Sequence, residues 1–188
     1  MVEKTCNVAE NGAINHNPFR MDLVGWHWIV ARRSRRVQLR RQGREVMYGW
    51  RRFWFRIFGA KIGTNVLLRP SVRMTYPWKV TIGDYSWLGD GVELYSLDTI
   101  TIGSNVVVSQ NTYICTGTHD YGVASFDMVT APICIKDQAW VASDVFIHPG
   151  VTIGEACVVG ARSTVGKDMP AGMLCVGSPC EVVRSRHA

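Results

Sequence analysis

The sequence predicts an all-β solenoid in which the chain winds through triangular coils, and three regularities in residue spacing support this prediction. First, an Ile-Gly pair recurs at a spacing of 20 residues, at Ile62, Ile82 and Ile102. Second, an aliphatic residue returns every six positions within these blocks and again from Ile135 onward. Third, a smaller residue, such as Val, Ser, Ala, Thr or Cys, stands two positions before most of these aliphatic residues.

A period of six fits neither an α-helix, which repeats at about 3.6 residues, nor an ordinary alternating strand. It fits a triangular coil, in which three strands of one hexapeptide each complete a turn of about 18 residues. Stacked coils pair their strands in parallel and enclose a column of Ile, Leu and Val, so neighbouring coils stabilise each other. We expect about five coils between Ile62 and Pro170. An ordinary α/β domain would need helical periodicity between the strands, and none occurs there.

The rhythm of six breaks once, from 117 to 132, in the segment GTHDYGVASFDMVTAP. A break in a solenoid predicts a loop that leaves the stack of coils, and loops on a rigid scaffold often have a functional role. The segment contains His119. We therefore treat this excursion loop as the first candidate for function.

The 188 residues fit one domain, and 47% hydrophobic against 19% charged residues indicates an ordered globular chain. No apolar run of about 18 residues and no signal-peptide pattern occurs, which predicts a cytoplasmic location. The predicted parts are a variable N-terminal segment (1–18), a basic aromatic helical cap (19–60), the β-helix (61–170) and an extended C-terminal tail (171–188).

The predicted cap is strongly basic, since residues 20–56 contain eleven arginines against Asp22 and Glu45. Apolar residues spaced by three and four predict a helix with one apolar face. That face would consist of Trp50, Phe53, Trp54, Ile57 and Phe58. Two interpretations remain open: peripheral contact of residues 20–58 with an anionic membrane, or a helix packed on the first coil with a solvated basic face. No nucleic-acid reading motif accompanies the charge, so we expect no nucleic-acid partner.

Several segments together resemble a known family. They are FGAKIGTNVLLRPSV, TYPWKVTIGDYSWLGD, ICTGTHDY, WVASDVFIHPGVTIG and the closing GSPCEVVR. From about Phe19 onward the chain resembles the hexapeptide-repeat O-acetyltransferases, which include galactoside, maltose and nodulation-factor acetyltransferases, and it resembles most the acetyltransferase of colanic acid biosynthesis. The resemblance implies a left-handed parallel β-helix, acetyl-CoA as the acyl donor, no metal requirement, and a homotrimer with sites between neighbouring subunits.

The resemblance also implies residue roles. A sugar hydroxyl is a poor nucleophile near neutral pH, so its attack on a thioester needs a base, for which histidine is suited. His119 matches the catalytic histidine of the family, and Asp120 beside it is a weaker candidate to orient that base or to bind the acceptor. The donor site is expected at Trp140 beside the cofactor, at Ser143 and Ala161 on the pantetheine arm, and at Lys167 and Arg184 near the nucleotide phosphates.

Three departures from the family pattern bear on specificity. Gly166 and Glu181 replace a Thr and a tail arginine that galactoside acetyltransferase has near the cofactor, so phosphate binding is expected to be distributed differently. Gly89 replaces an Asn that binds galactosides, which argues against galactoside itself as the acceptor. The remaining candidates on the acceptor side are Asp90, Glu93, Tyr95 and Asp98.

We therefore expect an O-acetyltransferase that acts on a saccharide, a precursor of an exported polysaccharide, in the cytoplasm at the inner face of the membrane. Two alternatives stay open: N-acetylation of an amino sugar or antibiotic, and a non-catalytic β-helix that serves as a structural subunit. A γ-class carbonic anhydrase on the same fold would need three zinc-binding histidines, whereas the predicted coils contain only His119 and His148.

Overall fold

The computed structural model describes residues 48–187, and these residues form a left-handed parallel β-helix. The predicted fold class is confirmed. The predicted segment 1–18, the first part of the cap up to residue 47, and Ala188 lie outside the described residues.

The strands are short, and most contain two or three residues. In chain order they are β1 (Lys61–Ile62), β2 (Leu67–Leu68), β3 (Arg73–Met74), β4 (Val80–Ile82), β5 (Trp87–Leu88), β6 (Glu93–Tyr95), β7 (Ile100–Ile102), β8 (Val107–Val108), β9 (Tyr113–Cys115), β10 (Gly117–His119), β11 (Met128–Thr130), β12 (Ile133–Ile135), β13 (Trp140–Val141), β14 (Phe146–Ile147), β15 (Thr152–Ile153), β16 (Val158–Val159), β17 (Thr164–Val165), β18 (Met173–Val176) and β19 (Glu181–Ser185). A 3₁₀ helix at Pro77–Lys79 precedes β4.

The strands stack into three faces of a triangular prism. The first face is β1-β4-β7-β12-β15, the second is β2-β5-β8-β13-β16-β18, and the third is β3-β6-β9-β14-β17. The strand β19 pairs antiparallel with β18 at the end of the second face. Within the described residues this makes five complete coils, followed by an incomplete sixth in which Met169 bridges Ile153 and β18 pairs with β16. The stack is therefore about one coil longer than the sequence predicted.

The aliphatic residues that recur every six positions are the ones that point into the core. On the second face Leu68, Leu88, Val108, Val141 and Val159 stand in one register column, and each has 0% exposure. Each layer contacts the layers above and below it, so burial of these side chains supplies most of the favourable free energy of stacking.

The smaller residues two positions earlier are also buried, and those with hydroxyls are hydrogen-bonded. The Ser86 hydroxyl donates to the Gly103 carbonyl at 2.7 Å, and the Thr112 hydroxyl donates to the Ala142 carbonyl at 2.9 Å. Polar groups tolerate burial when they are paired in this way. Serine and threonine can therefore be buried at these corners because their hydroxyls are paired with backbone carbonyls.

The turns between the second and third faces, which we call the second–third corner, share one backbone conformation. Gly91, Asn111, Asp144 and Arg162 occupy equivalent positions in successive coils, with φ between 58° and 72°. This left-handed region favours Gly and, among other residues, Asn and Asp. Arg162 is the exception in this column.

The described helix, residues 48–57, covers the open end of the first coil. The guanidinium groups of Arg51, Arg52 and Arg56 donate to backbone carbonyls of that coil at distances from 2.6 to 3.1 Å. The opposite face is exposed by 42% to 60% and consists of Trp50, Phe53, Trp54, Ile57 and Phe58. The expected solvated basic face is therefore wrong for these three arginines, because they pair with the coil and the aromatic face points to solvent.

A membrane-spanning segment is not found among residues 48–187, since no helix there is both long and apolar enough to cross a bilayer.

Candidate active site

The segment that interrupts the repeat is a β-hairpin. The strands β10 and β11 pair antiparallel, with His119 opposite Met128, and the Ala131 amide donates to the Thr116 carbonyl at 3.0 Å to close the base of the hairpin. Because the hairpin follows β9 and precedes β12, it leaves the coils at the corner between the third and first faces. We call this the third–first corner. His119 is exposed there.

The ring of His119 is held by one residue of the same loop. Its Nδ1 lies 2.9 Å from the Phe126 carbonyl oxygen, and the two rings stack with centroids 4.4 Å apart. A carbonyl can only accept, so Nδ1 donates its hydrogen and Nε2 keeps its lone pair. This is the tautomer that a general base requires. Phe126 reaches this position with φ of 50°, in the left-handed region.

Asp120 shapes the loop and makes no hydrogen bond to His119 in the structure. Its Oδ1 accepts from the Gly122 amide at 2.8 Å, and its own amide donates to the Asp127 carbonyl. Such local bonds are typical of an Asx turn. The Phe126 carbonyl, rather than Asp120, therefore orients the His119 ring, and no side-chain pattern could have indicated this.

A groove of about 430 Å³ lies on the second face, beside the second–third corner. Trp140, Ser143 and Ala161, three of the residues predicted for the donor site, line it together. The indole Nε1 of Trp140 donates to the Ser109 hydroxyl at 3.1 Å, and Ser109 also lines the groove. The half-buried indole is thereby held as one wall.

The two predicted phosphate-binding cations differ in their surroundings. The Lys167 ammonium donates to both carboxylate oxygens of Glu181 at 2.8 Å. Arg184 pairs in register with Leu174, which lines the groove, and its Nη1 donates to the Ser185 carbonyl. The charge of Lys167 is therefore matched by the carboxylate of Glu181.

Two of the acceptor candidates lie at the base of the loop that contains His119. The Tyr95 carbonyl accepts from the Thr116 amide at 3.1 Å, and the Asp98 amide donates to the Thr116 hydroxyl at 2.9 Å. The Asp98 carboxylate accepts from the Thr99 amide. Both residues are half-buried, and the structure brings them to the third–first corner.

The side chains of the other two acceptor candidates contact residues of the first coil. The Asp90 carboxylate accepts from Arg69 at 2.7 Å and from Ser71 at 2.9 Å, and these bonds hold the pKa of Asp90 below its usual range. Glu93 lies 3.8 Å from the Arg73 guanidinium. Asp90 belongs to the second–third corner, so the structure does not place it beside His119 of the same chain.

His119 and this groove, which we call the donor groove after the predicted donor-site residues Trp140, Ser143 and Ala161 that line it, lie on different edges of the prism. The loop leaves at the third–first corner, whereas the groove borders the second–third corner, and the third face separates them. Aromatic rings stack along this face from coil to coil: Tyr95 stacks on Tyr113 with ring centroids 6.1 Å apart, and Tyr113 stacks on Phe146 with centroids 5.5 Å apart. Within one chain, His119 and the groove are therefore not brought together.

Two other features of the described residues concern metal binding and the reactivity of thiols in the core. Among the described residues no group of three or more His, Cys, Asp and Glu side chains is arranged to hold a metal ion. Burial raises the pKa of the Cys157 thiol to about 12 and also raises the pKa values of Cys175 and Cys180. These thiols stay protonated near neutral pH and are poor nucleophiles.

The sequence and the fold were compared with those of known proteins. The protein WcaF of Escherichia coli strain K12, named for an acetyltransferase role in colanic acid biosynthesis, is 55% identical over 142 residues, which cover 76% of this chain and 78% of WcaF. A hexapeptide-repeat acetyltransferase of Vibrio cholerae, solved in complex with acetyl-CoA, superposes with a TM-score of 0.70 at 28% identity, covering 73% of this chain and 76% of that chain. The chain belongs to the hexapeptide-repeat acetyltransferases.

Galactoside O-acetyltransferase of Escherichia coli strain K12 is another member of this family that matches, with 36% identity over 128 residues, or 66% of this chain and 63% of that enzyme. No protein-family model matches the chain. As a hexapeptide-repeat acetyltransferase, this protein is an acyltransferase.

Proposed function

We propose that this enzyme transfers the acetyl group of acetyl-CoA to a hydroxyl of a saccharide, a precursor of an exported polysaccharide, with His119 as the general base. The observation that supports the base most directly is the bond from Nδ1 to the Phe126 carbonyl, which leaves Nε2 free to accept a proton. The names of two relatives, which refer to colanic acid and to galactosides, favour a saccharide acceptor. The donor is the ligand bound in the Vibrio cholerae relative.

The reaction follows from these groups. His119 Nε2 accepts the proton of the acceptor hydroxyl as that oxygen attacks the thioester carbonyl. The C–S bond then breaks, and coenzyme A leaves as a thiol with the proton from the imidazolium. Ser143 and Ala161 contact the pantetheine arm beside Trp140. These contacts hold the thioester in place for attack.

A complete site requires a second copy of the chain. The base and the donor groove lie on different edges of one prism, so the loop of one subunit must extend to the groove of its neighbour. We propose a homotrimer in which each of three equivalent sites is shared between two subunits. A ring of three copies closes this contact and leaves no unsatisfied half-site.

Turnover on a panel of acceptors tests the proposed reaction. Purified full-length protein is incubated with acetyl-CoA and either neutral saccharides or amino sugars, thiol release is followed, and products are analysed by mass spectrometry. We expect release of coenzyme A with at least one neutral saccharide and a product with one added O-acetyl group. Acetylation confined to the amino groups would replace this proposal with N-acetylation, and absence of transfer to any acceptor would favour a structural subunit.

We also propose that the enzyme docks on the cytoplasmic face of an anionic membrane through the aromatic face of the helix at residues 48–57. Trp50, Phe53 and Trp54 are exposed there by 42% to 59%. Arg51 and Arg52 donate to the coil, so they contribute little charge to the surface, but residues 20–47 supply eight further arginines in sequence. Aromatic rings bind at the boundary between headgroups and acyl chains, and arginines are attracted to anionic headgroups.

Vesicle binding tests this docking. The doubly substituted Trp50→Ser/Trp54→Ser protein is expected to bind phosphatidylglycerol-containing vesicles at least about tenfold more weakly, because burial of one large apolar side chain contributes about 1.5 to 3 kcal/mol. Tyr121→Ser, which removes an aromatic ring that is 91% exposed in the excursion loop, is the matched control. Equal vesicle binding by both variants, or a changed oligomeric state without any vesicle binding, would contradict the membrane assignment.

A further inference from the structure

The backbone of Arg162 adjoins the donor groove. Arg162 follows Ala161, which lines the groove, and its amide donates to the carbonyl of Ser143, another lining residue, at 2.9 Å. Its side chain is exposed. A cation at this position lies next to the residues expected to contact coenzyme A.

The backbone at Arg162 is unusual for an arginine. Its φ is 59°, and the equivalent turns of the three preceding coils contain Gly91, Asn111 and Asp144. These residue types occur in the left-handed region with the least strain, whereas arginine has no local hydrogen bond to offer the turn. The turn itself therefore does not explain why an arginine is present.

Other cations at this end of the prism already have partners. Lys167 is bonded to both oxygens of Glu181, and Arg186 donates to the carbonyls of Gln138 and Ala156. Within residues 48–187 the guanidinium of Arg162 has no hydrogen bond and no ion pair. Asp144, the nearest acidic residue in the same column of turns, lies one coil below Arg162. Its carboxylate accepts a hydrogen bond from Asn111 and does not pair with Arg162.

We infer that Arg162 binds a phosphate group in the nucleotide half of coenzyme A and takes over the role that the family pattern assigns to Lys167. This inference rests on the proposed use of acetyl-CoA as donor. A guanidinium can donate two parallel hydrogen bonds to phosphate oxygens, which an ammonium does not do. The Lys167–Glu181 pair is neutral as a unit, so it attracts a phosphate less than a free lysine would.

Comparison of two thioesters tests the assignment. Arg162→Asn is the variant of choice, because Asn111 occupies the equivalent turn at the same φ of 59° and the fold should be retained. We expect its KM for acetyl-CoA to rise at least about tenfold, because the variant loses a charge-assisted hydrogen bond to the phosphate. This bond is present in both the ground state and the transition state, so kcat should change little. Kinetics with acetyl-pantetheine, which has no nucleotide, should not change.

Two further variants sharpen the result. Lys61→Ala removes an exposed cation of the first coil and should leave both thioesters unaffected. Glu181→Gln frees Lys167, so in the Arg162→Asn background it should recover part of the lost affinity for acetyl-CoA. An unchanged KM for acetyl-CoA in Arg162→Asn, or an equal loss with both thioesters, would overturn the assignment.

Equilibrium binding separates failure of this inference from failure of the proposed reaction. The dissociation constant of coenzyme A itself is measured for the wild type and for Arg162→Asn, without an acceptor. Weaker binding by the variant supports Arg162 even when no saccharide is acetylated. Equal binding refutes Arg162 even when saccharide transfer is observed.

Discussion

Replacement of His119 by alanine is expected to lower the rate of acetyl transfer by about 10² to 10⁴, the usual contribution of a positioned general base. The variant removes the atom that accepts the hydroxyl proton, while the donor groove on another edge of the prism stays intact. The effect should therefore appear in kcat, with little change in the affinity for coenzyme A. The side chain of His119 is exposed and makes one hydrogen bond, and alanine keeps the backbone pairing of the hairpin, so the fold should not be affected.

Two measurements make this result decisive. Transfer to the acceptor found in the saccharide panel is followed by thiol release, and binding of coenzyme A is measured at equilibrium. His148→Ala is the matched control, because His148 is also exposed and also contacts an aromatic ring, that of Phe146 at 4.8 Å. Equal rates for the wild type and His119→Ala would remove His119 from the mechanism.

The second large effect is restoration of activity in mixed oligomers. His119→Ala lacks the base, and Ala161→Trp fills the donor groove with an indole at an exposed position. Each variant alone should be almost inactive. In every mixed ring of three, one shared site combines an intact loop with an intact groove, so isolated mixed oligomers should recover roughly a third of wild-type activity.

Co-expression of the two chains with different affinity tags, followed by isolation of mixed oligomers, supplies the material. The oligomeric state is checked by light scattering for each variant and for the mixture. Co-expression of two copies of the same variant is the control and should yield no activity. Mixed trimers that stay inactive would show that the loop and the groove do not meet across a subunit boundary.

The orientation of the cap helix on the first coil could not be predicted from the sequence. The spacing of Trp50, Phe53 and Trp54 correctly predicted one aromatic face, but an apolar face usually packs inward, and here it does not. The reason lies in the partner surface. The open end of a β-helix presents backbone carbonyls that have no next coil to pair with, and the guanidinium groups of Arg51 and Arg52 satisfy them. Spacing alone cannot indicate that kind of partner.

The sequence by itself determined the repeat, because each hexapeptide encodes its own inward aliphatic residue, as Leu88 and Val108 do in successive coils, and neighbouring coils repeat the same pattern. The loop segment that contains His119 was likewise evident, since it interrupts that pattern.

Only the tertiary structure decided what surrounds the candidate groups. The Phe126 carbonyl that orients His119, the Glu181 carboxylate that pairs with Lys167, and the unpaired guanidinium of Arg162 became visible only in three dimensions. Residue type encodes burial locally, so a burial pattern can be read along the chain. Pairings between residues that lie 7 and 14 positions apart depend on how turns and coils meet in space, and no local pattern records them.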